Sequence, residues 1–200
     1  MGSKILSILK FVFFILLLPL AVASTTAFIQ EVNHLPQETI AFLLNGIVVY
    51  LFVHLFVYEP RPVYQYGQNL VTAIFQFFAP LVKIASFLLP IYTILLLIGA
   101  YFANLIFKRN DIEHYLLFLI SASFVMHMVF TAQVLRGKDS NIIKPNYLFS
   151  VSLIYVINIF IIAMMFDLIL KEFSFAEFFS TATAMTAKVY KAVFNQLFVP

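Results

Sequence analysis

The sequence predicts an all-α integral membrane protein with about six transmembrane helices and a C-terminal amphipathic helix. Three observations carry that expectation. Of 200 residues, 63% are hydrophobic and 10% charged, whereas soluble domains carry roughly 25% charged residues. Mean hydropathy is +1.01. Apolar runs long enough to cross ~30 Å of hydrocarbon recur along the chain. The segments between them are short, so residues 1–200 read as a single transmembrane domain with no room for a sizeable soluble one.

Composition also excludes chemistry. With no cysteine, the chain can form no disulfide, Cys-ligated zinc site or iron–sulfur cluster. It has no Trp, so its 25 Phe and 10 Tyr must supply any interfacial aromatic belt. The net charge of +3 and pI near 9.1 fit ordinary loop lysines and arginines. They do not call for a nucleic-acid partner.

The elements follow in order. Lys4 and Lys10 precede the run "FVFFILLLPL", and "AVA" at 21–23 resembles a signal-peptidase site. We read this segment as a retained first helix, about 5–24. The polar stretch "TTAFIQEVNHLPQET" reads as a loop; it holds Glu31 and Glu38 but no Lys or Arg. The second helix, about 39–58, ends at "YEPRP", because a residue before proline avoids the helical region. The third, about 64–79, is short and polar on one side, and Pro80 and Lys83 mark the turn after it. The fourth is about 84–107 and the fifth about 112–135, separated by "KRND"; after "RGKDSNIIKP" the sixth is about 147–170. In the tail 174–198, Phe175, Phe178, Phe179, Ala182, Met185, Val189 and Val193 share one helical face. Glu177, Ser180, Thr181, Lys188, Lys191 and Asn195 occupy the other, as in a helix that lies on a membrane surface or packs on a partner.

Alternating these six spans from a cytoplasmic N-terminus puts Lys4, Lys10, Arg61, Lys108, Arg109, Lys171, Lys188 and Lys191 inside, against Lys83, Arg136, Lys138 and Lys144 outside. Eight against four favours both termini in the cytoplasm, in a multi-pass protein of a bacterial inner membrane. The assignment depends on the third helix crossing. If that helix re-enters, every later helix inverts.

Two sets of polar residues fall inside apolar helices. "YQYGQNLVTAIF" places Gln65, Gln68, Asn69 and Thr72 on roughly one face. Ser123, His127 and Thr131 recur every fourth residue on the fifth helix and, with Asn158 on the sixth, form a candidate intramembrane polar cluster. A histidine in a span is costly unless paired. His127 is expected as a neutral imidazole bonded to a third-helix amide or to Asn158. A metal shared by His127 and His54 lacks a clear third ligand. Asp167 and Lys171 are spaced for an i,i+4 ion pair.

The first polar set resembles the site-2-protease-type intramembrane zinc metalloproteases. In that family an aromatic-Gly dipeptide leads into H-E-x-x-H on a membrane helix, where two His bind zinc and Glu is the general base. In "YGQNLVTAIF" the resemblance puts Gln68 and Thr72 at the His positions and Asn69 at the Glu position. "IASFLLPIYTILLL" resembles the family's next, Pro-containing helix. "FVMHMVFTAQVLRGKDSNI" with "NYLFSVSLIYVIN" resembles the later helices, with Asn141 where an aspartate supplies the third ligand. The likeness covers residues 45–160, with the intervening segment shortened to "QFFAPLVK".

That resemblance implies a protease fold without its reaction. Amides and a hydroxyl are poor zinc ligands, and Asn69 has no basicity with which to take a proton from water. The expected function is therefore a non-catalytic scaffold or assembly subunit, a pseudoenzyme whose partners are other integral membrane proteins and the lipid bilayer. No metal, cofactor or nucleic acid is expected. Two alternatives stand beside it: a small transporter or channel component with a polar intramembrane path, and an active metalloprotease. The second is opposed by the lack of any H-E-x-x-H in the chain.

Overall fold

The computed structural model describes residues 2–76, 85, 87–107, 110–138 and 145–198. Among these residues there are seven α-helices and no strand: α1 (Gly2–Val32), α2 (Gln37–Phe56), α3 (Arg61–Phe75), α4 (Ile91–Phe107), α5 (Asn110–Lys138), α6 (Pro145–Ile169) and α7 (Phe175–Phe198). Four are long and apolar enough to cross a membrane, through Ile5–Val32, Gln37–Phe56, His114–Gly137 and Tyr147–Ile169. With the composition, they make this a helical membrane protein. The expected six spans are not all there by length. The 15 residues of α3 reach only ~22 Å at 1.5 Å per residue, and α4 has 17 residues.

Two boundaries differ from the sequence reading, each for a local reason. The stretch read as a loop after residue 24 stays helical to Val32. Thr25 and Thr26 return their hydroxyls to the carbonyls of Ala21 and Val22, at 2.7 and 2.9 Å, so their polarity is absorbed within the helix. The helix read as starting near 84 is broken at Pro90. Proline has no N–H to give the preceding turn, and α4 proper begins with Ile94 N–H bonding the Pro90 carbonyl at 2.9 Å.

The chain divides into two compact units, Met1–His34 with Leu135–Pro200, and Leu35–Val134. In the first, α1 packs lengthwise on α6 and α7. Phe13 meets Phe149, Thr25 bonds Tyr155 and Phe28 meets Phe166, so α1 and α6 run parallel. The C-terminal helix, expected on a membrane surface or against a partner, instead runs back along α1. Phe178 meets Phe28, and the Tyr190 hydroxyl donates to the Leu16 carbonyl. Buried Ala23, Ser24 and Ala27 on α1, Ala163 on α6 and Ala182 on α7 permit this close approach. In lipid, helices associate by close packing of small residues more than by any hydrophobic drive. At the α6–α7 turn, Phe28, Phe166, Phe173 and Phe178 form a ring cluster with centroids 5.6–6.3 Å apart.

In the second unit, α2 and α5 also run parallel. Glu38 and Phe42 meet His114, Gly46 meets Phe118 and Ser121, and His54 meets Phe130 and Gln133. A Cβ on Gly46 would collide with the Ser121 hydroxyl and the Phe118 carbonyl, so only glycine permits this approach. The stretch from Phe87 through α4 runs antiparallel to α5, with Phe87 at His127 and Thr93 at Ser123. Six alternating spans would set the second and fifth helices antiparallel. They are parallel instead; the described residues between them hold the 15-residue α3 and the stretch from Phe87 through α4.

Candidate functional site

The polar residues of α5 are each occupied by a different neighbour. Ser123 Oγ lies 2.9 Å from Thr93 Oγ1 on α4 and also bonds the Ile120 carbonyl at 2.9 Å. His127 Nε2 lies 3.1 Å from the Phe87 carbonyl. Thr131 Oγ1 lies 3.1 Å from the Tyr64 hydroxyl on α3. One polar stripe thus fastens α3 and the stretch from Phe87 through α4 to α5, and in lipid such bonds contribute ~0.6–2 kcal/mol each. The partner of His127 is therefore a backbone carbonyl exposed near the Pro90 break, and neither of the expected amides. Asn158 belongs to the other unit, fully buried, with its Nδ2 donating to the Ile154 carbonyl at 2.9 Å. His54 is held by Gln133 at 3.3 Å.

The positions of the protease-like pattern sit on α3. Gly67 packs on Tyr92, whose ring edge would lie 2.7 Å from an added Cβ, and Tyr92 donates to the Val63 carbonyl at 2.7 Å. Gln68 is half-buried, while Asn69 and Thr72 are exposed. Thr72 spends its hydroxyl on the Gln68 carbonyl, at 2.9 Å. Asn141 lies outside the described residues, so its expected proximity to Gln68 has no counterpart here. The space beside these positions, lined by Tyr64, Gln68, Tyr92, Ser123 and His127, has a volume near 10 Å³. That is room for about one water molecule.

A different group of side chains is brought together in the first unit. Glu31 at the end of α1, His34 just beyond it and Glu177 in the first turn of α7 place one ligand atom each within 4.8 Å of one another. They border an open polar cleft of about 620 Å³, with Gln30, Asn33, Ser180 and Thr181. Glu31 is only 3% exposed. The expected Asp167–Lys171 ion pair does not form among the described residues; Asp167 Oδ1 instead accepts the Phe175 N–H at 3.0 Å and helps cap α7. Ser174 Oγ accepts the Glu177 N–H at 3.3 Å, half of a capping box. The other half is taken over, because the Ser174 N–H points to Glu31 Oε2 at 3.4 Å. Glu177 is left facing Glu31. Only the spacing of Glu31 and His34, a Glu-x-x-His pair three apart, was visible in the sequence.

Compared with protein-family models, curated proteins and solved structures, the chain matches none.

Proposed function

We propose that this chain is a non-catalytic membrane subunit that works by packing against other integral membrane proteins. The observation that carries the reading is the position of α7. Tyr190 reaches the Leu16 carbonyl, so Lys188 and Lys191 lie beside the middle of the apolar stretch of α1. Both are exposed, as is nearly all of 187–198, and neither has an ion-pair partner among the described residues. Lipid is a poor cover for such a face, since a lysine at bilayer mid-depth costs about 2.5–3.5 kcal/mol. A protein surface with acceptors for the lysines and grooves for Val189, Val193 and Phe194 suits it better.

Two further points support the absence of catalysis. The space at Gln68 admits about one water, and nothing on α3 can hold a zinc ion or take a proton. The polar stripe of α5 is consumed by helix-to-helix bonds, which also disfavours a conducting path. The site-2-protease-like descent rests on the residue pattern around Gln68, Asn69 and Thr72.

For the topology we propose six crossings in a bacterial inner membrane with both termini cytoplasmic, made by α1, α2, the stretch 85–107, α5, α6 and α7. Parallel α2 and α5 require an odd number of crossings between them, and parallel α1 and α6 require the same. One crossing through 85–107 satisfies both, leaving α3 as a short, non-spanning helix. Lys4, Lys10, Arg61, Lys83, Arg136, Lys138 and Lys144 then share the cytoplasmic side, against Lys108, Arg109 and Lys171 opposite, a majority inside that the positive-inside rule favours. Isolation from native membranes in mild detergent, with a crosslinker on α7, tests the subunit reading.

A further inference from the structure

We infer that Glu31, His34 and Glu177 form a binding site for a divalent transition-metal ion that joins the end of α1 to the start of α7. Their ligand atoms already lie within 4.8 Å of one another. Carboxylate oxygens and imidazole nitrogen bind zinc at about 2.0–2.2 Å, which sets donors ~3.4 Å apart in a tetrahedral shell. The gap closes by side-chain rotation. His34 and Glu177 are both exposed and free to swing, while Glu31 is the fixed member.

The burial of Glu31 points independently to a cation. At 3% exposure its carboxylate has no Lys or Arg within ion-pair distance among the described residues. Its contacts are the Ser174 N–H, a long 3.4 Å bond to Oε2, and His34 Nδ1 at 3.9 Å. Glu31 borders the cleft. Buried charges are ordinarily paired or metal-bound. Here a second carboxylate, Glu177, faces the first, so the site carries two negative charges against one imidazole. The N-terminus of α7 offsets part of that charge through the Ser174 amide, and a divalent ion would offset the rest. The capping box is only half made: Ser174 Oγ accepts the Glu177 N–H, while the Ser174 N–H goes to Glu31 and leaves the Glu177 carboxylate within 4.8 Å of it.

Two carboxylates and one imidazole form a mixed oxygen–nitrogen set that suits Zn²⁺ or Mn²⁺ better than a thiolate-seeking ion. Three protein ligands leave a coordination position open to the cleft, where water would complete the shell. Bound there, the ion would pin the first turn of α7 to α1, the turn from which the exposed lysine face extends.

The test is calorimetric titration of Zn²⁺ into the full-length protein in detergent, with hydrogen exchange read over residues 174–181. We expect one equivalent bound, and slower exchange in that segment when zinc is present. Glu31→Gln and His34→Gln should each weaken binding at least ~10-fold, as loss of a ligand does at least as much as loss of its supporting shell. Glu177→Gln, on the surface, keeps the test independent of folding. His54→Gln, in the other unit, should change nothing. Absent binding, or binding equal in wild type and in all three cluster variants, would overturn the inference.

Discussion

Tyr64 and Thr131, 67 residues apart in the chain, meet hydroxyl to hydroxyl at 3.1 Å and hold α3 against α5. Tyr64 is buried beside Phe130, ring centroids 5.1 Å apart, and its hydroxyl also bonds the Gln68 side chain. Tyr64→Phe and Thr131→Val should each lower stability in detergent by about 0.6–2 kcal/mol. Combined, they should cost clearly less than their sum, since either removes the same bond. Strict additivity in a denaturation series would show the bond to be energetically idle.

Two glycines should respond differently to the same change. At Gly46 an added methyl meets a backbone carbonyl as well as the Ser121 hydroxyl, and a helix backbone cannot yield without parting α2 from α5. Gly46→Ala should therefore cost about 1–3 kcal/mol, the range of overpacked cores. At Gly67 the nearest atoms are the Tyr92 ring edge and an Ile91 methyl, both able to shift. Thermal midpoints in one detergent should fall further for Gly46→Ala than for Gly67→Ala.

Much of the helical framework was legible because apolar runs and charged breaks mark where a chain can enter and leave lipid. Direction was not. Hydropathy gives crossings only if every run crosses, and α3 has the run without the length. Local polarity misled at Thr25 and Thr26, whose hydroxyls return to their own helix. The partner of His127 was hidden for a related reason: a carbonyl freed near Pro90 carries no sequence signature. At the candidate metal site Glu31 and His34 were missed, though their spacing was the one signal the sequence carried. Glu177 became their neighbour only when α7 folded back along α1.

Direction can be measured, because the chain has no native cysteine to mask. Single cysteines at Tyr58, after α2, and at Gly137, near the end of α5, should label from the same side of the membrane. Asn33 and Lys171 should label from the other. Six spans that include α3 would put positions 58 and 137 on opposite sides.

Installing the metalloprotease pattern should not create proteolysis. The triple change Gln68→His, Asn69→Glu and Thr72→His supplies ligands and a base, but positions 69 and 72 face outward. The adjoining space near 10 Å³ cannot take a peptide. Cleavage of a membrane-embedded reporter by this variant, above the wild-type background, would show that the fold retains a working protease cleft.

On the proposed function, the exposed face of α7 is covered by another protein. Its most direct measurement is a photo-reactive residue placed at Lys191 or Phe194 of the full chain in its native membrane. The expected result is a crosslink to a second integral membrane protein that co-purifies in mild detergent, and loss of that co-purification when Lys188 and Lys191 are both changed to Glu. Crosslinks to lipid alone, from a chain that isolates as a monomer and cleaves a membrane substrate, would contradict it.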